Sequence, residues 1–283
     1  MMQVSFDDLK GKVCVITGGG GVIGQSLIRG LASCGVNIVL LDRMIDHCKP
    51  FIEELQNKYG VKAVALVADV LDKKSLEQVR ITASQTMGAT DILINCAGGN
   101  NPKATTKIER MDKDSLGKLE DTFFGLEMEG FRQVFDLNFL GTLLPTMVFA
   151  QDMLKKGKGT ILNISSMNSF KPLTKIPAYS AAKAAINNFT EWLSTHLAKM
   201  NIRVNAIAPG FFLTNQNRFL LTDEKTGALT KRGQTIIDRT PMSRFGEPED
   251  LCGTCNFLVS DASSFITGVV IPVDGGFNAY SGV

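Results

Sequence analysis

The sequence predicts an α/β fold: one domain on a doubly wound parallel sheet of about seven strands, with helices on both faces. Three observations predict it. Short runs rich in β-branched residues alternate with helically patterned segments along the whole chain. A glycine-rich turn joins the first such run to the first helical pattern. No repeat, low-complexity tract or linker divides residues 1–283, so a single domain is the better reading.

Taken in order, the first strand candidate is Val13–Ile16, inside the run GKVCVI. TGGGGVIG follows at 17–24, and Ile23, Leu27, Ile28 and Leu31 then recur at helical spacing through Ile23–Cys34. The next strand candidates are Ile38–Leu41, Ala63–Val67 and Ile92–Asn95, separated by helical patterns at Cys48–Lys58 and Ser75–Met87. One long helical pattern, Gly130–Lys155, leads to strand Gly159–Ile164. Helix Tyr179–Lys199 leads to strand Ile202–Ala208, and Val269–Val273 is the last strand candidate. Two stretches break the rhythm. Residues 99–129 form a polar, weakly periodic insertion, and residues 211–240 form a second long loop. Loops this long in compact domains usually bind or cover ligands. Both follow strands, so both fall at the carboxyl end of the sheet, where open α/β sheets bind ligands.

Composition excludes several classes. A net charge of +2 with scattered basic residues leaves no footprint for nucleic acid or for an anionic membrane surface. No apolar run approaches the roughly 20 residues that span a bilayer, and the first residues carry acids where a secretory signal carries bases. Six cysteines in a chain of 283 residues do not make a disulfide framework. A reducing, cytoplasmic setting is expected. CGTC, at Cys252–Cys255, has the C-x-x-C spelling, but it lies in an apolar helical pattern and has no second pair at metal spacing. It is read as core. His47 and His196 stand apart and outside motifs, so no metal site is expected.

The glycine turn is the first candidate for chemistry. A strand, a bare turn and a helix start together present unpaired N–H groups and the positive end of a helix dipole to an anion. Gly19, Gly21 and Gly24 spell G-x-G-x-x-G. Asp42 ends the next strand, near the spacing of about 20 residues at which an acid accepts bonds from an adenosine ribose. That favours NAD over NADP, although Arg43 beside it partly offsets the charge.

The second candidate lies in ISSMNSFKPLTKIPAYSAAKAA. Tyr179 and Lys183 are one helical turn apart and share a face, and Ser166 ends a strand upstream. Reduction of a carbonyl by hydride needs a proton donor for the developing alkoxide. A tyrosine serves if its pKa falls from about 10 towards 7, a change worth about 4 kcal/mol. A neighbouring ammonium and a cationic nicotinamide are expected to supply it. A serine adds a hydrogen bond to the carbonyl oxygen.

These residues resemble a family, the short-chain dehydrogenases/reductases of the classical type, with a Rossmann-type fold. The landmarks run in order: TGGGGVIG at 17–24, ADV at 68–70, NCAGG at 95–99, LNFLG at 137–141, Ser166, YSAAK at 179–183, RVNAIAPG at 203–210 and GVVIPVDGG at 268–276. The resemblance implies roles for single residues. Asn138 holds a relay water, Ser166 polarises the carbonyl, and Tyr179 is the acid/base. Lys183 holds the nicotinamide ribose and lowers the tyrosine pKa. Gly18, Gly20, Gly21, Val22 and Ile23 surround the pyrophosphate, and Asp69 and Val70 meet the adenine. Asn95, Ala97 and Gly98 form a wall of the cofactor site, and Pro209, Gly210 and Thr214 lead to the carboxamide. The family turn is T-G-x-x-x-G-x-G, and Val22 stands where it has glycine. A β-branched residue there needs a negative φ, so Gly18–Gly21 must take the bend one step earlier.

The insertion and the strings GGNNPKATT, FLGTLLPT and APGFFLTNQNR are similar to a subgroup, the bacterial D-mannonate oxidoreductases (fructuronate reductases) of the short-chain type. This resemblance implies NAD-linked interconversion of D-fructuronate and D-mannonate. Alternatives are a gluconate, other sugar-acid or polyol dehydrogenase on the same scaffold, and a dinucleotide-sensing protein without turnover. Family resemblance also implies a homotetramer, in part through the tail GGFNAYSGV. The substrate carboxylate needs a cation at the site mouth, built by 99–129, the segment after Ser166 and the segment after Gly210. Lys103 and Arg218 are the preferred pair, Lys107, Lys171 and Lys175 are further bases, and Asn101, Asn168, Gln216 and Asn217 are candidates for hydroxyls.

Overall fold

The computed structural model describes residues 5–213, 221–223 and 226–282. Seven strands form one sheet: β1 Val13–Thr17, β2 Asn37–Asp42, β3 Ala63–Val67, β4 Ile92–Asn95, β5 Gly159–Ile164, β6 Ile202–Pro209 and β7 Val270–Val273. Their order is β3-β2-β1-β4-β5-β6-β7, and every pairing is parallel. The order reverses between β1 and β4, which opens a crevice at their carboxyl ends.

Period-two alternation sorts the strand side chains onto two buried faces. Cys14, Ile16, Ile38, Leu40, Ile92, Ile94 and Leu162 pack on one face. There they meet helices α1 (Val22–Ser33) and α2 (Lys49–Tyr59) and the late helix Cys252–Val259. Val13, Val15, Val39, Leu41, Leu93 and Ile161 face the other way. Helix α3 (Lys73–Met87) covers that face with α5 (Gly141–Lys156) and α6 (Pro177–Leu197). Both faces are therefore covered, which is why these strands read as continuous apolar runs.

The long helical pattern at 130–155 is divided. Helix α4 (Met128–Phe135) passes through a wider π turn, Asp136–Leu140, into α5. Met128–Lys156 is long and apolar enough, by length and composition, to cross a bilayer. Half of its most apolar window is buried, however, and Val148, Phe149 and Met153 pack it on the sheet. The stretch after β6 also holds a helix the sequence reading did not assign, α7 (Lys231–Asp238), with Thr230 capping its start through Gly233 N–H. Helix α8 is Cys252–Val259. Cys255 is fully buried in the core and Cys252 touches Ser26 O. All six cysteines are free thiols, in keeping with the reading of CGTC as core.

Candidate active site

A cleft of about 570 Å³ opens at the carboxyl ends of the central strands. Its floor is the turn from β1 to α1. Gly18 adopts φ +64°, and a Cβ there would come within 2.8 Å of Ala97 Cα. Gly18 therefore takes the bend, as the valine requires: Val22 is the first residue of α1, and Gly21 before it is extended at φ −76°. Among the described residues no side chain caps this helix start. Its first N–H groups are left for an anion, and Gly20, Gly21, Val22 and Ile23 line the cleft beside Gly18.

Asp42 stands at the end of β2 and lines the same cleft. Its carboxylate accepts from Gly20 N at 3.1 Å and from Arg43 N at 2.8 Å, so the acid is held at the rim by backbone. Val70, Ala97, Gly98, Pro209 and Gly210 also line the cleft. So do Cys96, Leu137, Phe211 and Phe212, to which the sequence reading gave no role, although each lies inside a motif that it quoted. A bare floor, an uncapped helix start and a rim carboxylate fit a dinucleotide.

Two residues expected to contact the cofactor, Asn95 on the wall and Asp69 at the adenine, do not line the cleft. Asn95 is buried and does not line the cleft. Its amide donates to Thr146 Oγ1 at 2.9 Å and to Asn163 Oδ1 at 2.8 Å, so it braces β4 to its neighbours. The alternation of the strand turns its side chain into the protein. Asp69 is exposed and accepts from Leu71 N at 2.9 Å, leaving Val70 to face the cleft.

Ser166, Tyr179 and Lys183 meet in the inner part of the cleft. Ser166 follows β5 and caps the short turn Met167–Ser169, its Oγ accepting from Asn168 N at 3.2 Å. Tyr179 and Lys183 lie in the first turns of α6. Lys183 is 3% exposed and donates to Ile164 O at 2.8 Å, with Nζ 5.6 Å from the Tyr179 ring. Burial lowers the Lys183 pKa to about 8, and negative charge at Cys96 would oppose this. Burial also pushes the Tyr179 hydroxyl up to about 12, with only partial relief from Ser166. The expected fall towards 7 is thus not built into the protein alone. The half-buried ring is desolvated, and Lys183 spends its nearest contact on a backbone carbonyl.

Asn138 sits in the π turn, fully buried. Its amide donates to Gly99 O at 2.7 Å and Val134 O at 2.8 Å, and its Oδ1 accepts from Gly99 N at 3.3 Å. A Cβ on Gly98 would lie 2.7 Å from Asn138 Oδ1 and 3.2 Å from Lys183 Nζ. Bare backbone at Gly98 is what lets these two groups approach the wall together.

The substrate residues named from sequence fare less well. Lys103 is ion-paired with Glu127 at 2.9 Å, another residue of the insertion, and lines neither this cleft nor the second one described below. Lys107 pairs with Asp121 at 2.5 Å. Asn101 binds Gln133. Asn168 is buried behind Ser166 rather than in the cleft wall. Thr214, Gln216, Asn217 and Arg218 lie outside the described residues. Lys171 and Lys175 do line a cavity, a second cleft of about 960 Å³ that shares Phe211 with the first. Among the described residues no cluster of metal-ligating side chains occurs.

Comparison with known proteins agrees with this geometry. The model of the short chain dehydrogenase family matches residues 12–225, and the chain belongs to that family. Within it, the chain is 51% identical to a Haemophilus influenzae protein solved with bound NAD and provisionally described as a D-mannonate oxidoreductase. That match covers 98% of each chain with a TM-score of 0.91. It is 47% identical to the "Uncharacterized oxidoreductase UxuB" of Bacillus subtilis, over 98% of both. A gluconate 5-dehydrogenase from Burkholderia cenocepacia, solved with NADP and tartrate, is 29% identical over 97% of this chain and 99% of its own, at a TM-score of 0.80.

Proposed function

We propose that the chain interconverts D-fructuronate and D-mannonate with NAD(H). The observation that carries this reading is the likeness to the NAD-bound Haemophilus influenzae protein over nearly the whole of both chains. Asp42 supports the cofactor choice, since its carboxylate would accept from ribose hydroxyls and repel a ribose phosphate. Gly18, Gly20, Gly21, Val22 and Ile23 would hold the pyrophosphate, and Ala97, Gly98, Pro209 and Gly210 the nicotinamide end. When bound, the nicotinamide accepts or donates the hydride, and its oxidised form adds a positive charge to the site.

The protein's own groups handle the oxygen. Ser166 Oγ donates a hydrogen bond to the carbonyl oxygen, and the Tyr179 hydroxyl gives its proton to the alkoxide that forms. In the oxidation direction Tyr179, as the tyrosinate, takes the proton from the substrate alcohol. Lys183, charged below about pH 8, stabilises the tyrosinate, and Asn138 positions a water between Lys183 and solvent. A homotetramer in the cytoplasm is the assembly and setting proposed.

The test is NADH oxidation by the purified protein with D-fructuronate, D-tagaturonate and 5-keto-D-gluconate. The highest kcat/KM is expected for D-fructuronate. A preference for 5-keto-D-gluconate would favour a second reading, a gluconate 5-dehydrogenase, for which the Burkholderia cenocepacia structure speaks. Turnover of no uronate would overturn the proposal.

A further inference from the structure

The second cleft is unlike the rest of the surface in its charge. Six basic side chains line it, Arg110, Lys171, Lys175, Lys231, Arg232 and Arg239, against the acids Glu109 and Asp238. A chain of net charge +2 has therefore concentrated cations in one concave place. Several cations elsewhere on the surface are paired, Lys103 to Glu127, Lys107 to Asp121 and Arg244 to Asp250. None of the six forms an ion pair among the described residues, and Lys171 instead donates to the carbonyls of Asn278 and Tyr280.

Geometry adds a second observation. Arg232, Thr235 and Ile236 recur at helical spacing on α7, and Arg239 follows in register at its C-cap, so that side of the helix looks into the cleft. Two guanidiniums two turns apart on one face suit a carboxylate, which they bind bidentately. The cleft meets the catalytic one at Phe211, which lines both. An anion held here is next to the route to Tyr179.

We infer that the second cleft is a carboxylate-binding antechamber of the active site, in which Arg232 on α7 and Arg239 at its C-cap take the acid end of the substrate, a reading that rests on the sugar-acid function proposed above. Arg110 and Lys175 complete the positive wall from the insertion and the segment after Ser166. The specificity for acids over neutral sugars lies in α7, and Lys103 has no part in it.

The experiment compares the wild type with the double variants Arg232→Gln/Arg239→Gln and Arg232→Lys/Arg239→Lys. Calorimetry measures binding of D-mannonate, D-gluconate and neutral D-mannitol to the NAD-loaded protein at low and high salt. Kinetics measures kcat and KM for D-fructuronate. The glutamine pair should weaken both sugar acids at least 10-fold and leave D-mannitol within twofold. It should raise KM far more than it lowers kcat and abolish the weakening by salt. The lysine pair should recover part of the affinity. Acid affinity and salt response unchanged in the glutamine pair would overturn the antechamber, as would a wild type that binds no sugar acid. Acid binding lost in the variant, in a protein that turns over no uronate, would support the antechamber and overturn the D-fructuronate reading alone.

Discussion

At the scale of single residues, the chemistry turns on Tyr179 and Lys183. Tyr179→Phe keeps the ring and its packing and removes only the proton. Turnover should fall by at least the factor of about 10²–10⁴ that a general acid supplies, and steady-state kinetics showing more than about a tenth of wild-type rate would remove Tyr179 from its role. Lys183 makes a stability prediction whose sign follows from its pKa. Burial lowers it to about 8 from 10.5. The folded ammonium is therefore costly below pH 8, and that cost is relieved as pH rises from 8 towards 10.5, where the unfolded chain still holds the proton. The gain of Lys183→Met over wild type should accordingly shrink between pH 7 and pH 9.5, by up to about 2 kcal/mol. Urea denaturation at both pH values checks it, and a gap that widens with pH would contradict the assignment. Tyr179, Lys183 and Ser166 were legible as residue types at fixed spacing. The direction of the tyrosine shift was not, because it depends on how deeply the hydroxyl is buried and on where Lys183 Nζ points.

At the scale of elements, the turn from β1 to α1 and the helix α8 make opposite predictions. Gly18→Ala puts a side chain at φ +64° and within 2.8 Å of Ala97 Cα. The left-handed backbone alone costs about 1–2 kcal/mol. Because the contact is with backbone, the turn must shift, and NADH affinity measured by fluorescence titration should drop at least 10-fold. Cys252→Ala/Cys255→Ala removes two thiols from a core helix and should cost roughly 1–2 kcal/mol of burial, with kcat unchanged. Bound metal in the wild type, or activity gated by dithiothreitol, would contradict that. Strands β3, β4 and β5 carry the bounds read from sequence because their runs are short, β-branched and closed by polar residues. The π turn Asp136–Leu140 left no trace in the pattern, since apolar spacing does not report which carbonyl each N–H reaches. Helix α7 was hidden for a different reason. It spans only Lys231–Asp238 and buries little beyond Gly233 and Ile236, too few positions to establish a period.

At the scale of the whole molecule, the cofactor should act as a stabilising ligand. NADH at a hundred times its Kd contributes about 2.7 kcal/mol, which for a chain of this size raises Tm by roughly 5 °C. NADPH at the same concentration should raise it less, and Asp42→Ser should narrow or reverse the difference. A wild type stabilised equally by both would show that Arg43 outweighs Asp42. Differential scanning fluorimetry reads all four combinations without requiring turnover, so it separates cofactor choice from substrate choice.

The sequence by itself determined the layered fold, the crevice at the carboxyl ends of the strands, and the presence there of Gly18, Asp42, Ser166, Tyr179 and Lys183. Those features follow from periodicity, from local spacing and, for Gly18, from the resemblance to the family, all of which a linear pattern records. Tertiary structure alone decided the rest. It turned Asn95 inward and Asp69 outward, tied Lys103 to Glu127, and gathered Arg110, Lys175, Arg232 and Arg239 from three distant segments into one cleft. The physical reason is that a surface charge acts through whichever neighbours the fold delivers to it. Those neighbours are set by how loops pack over the sheet, which no local pattern encodes.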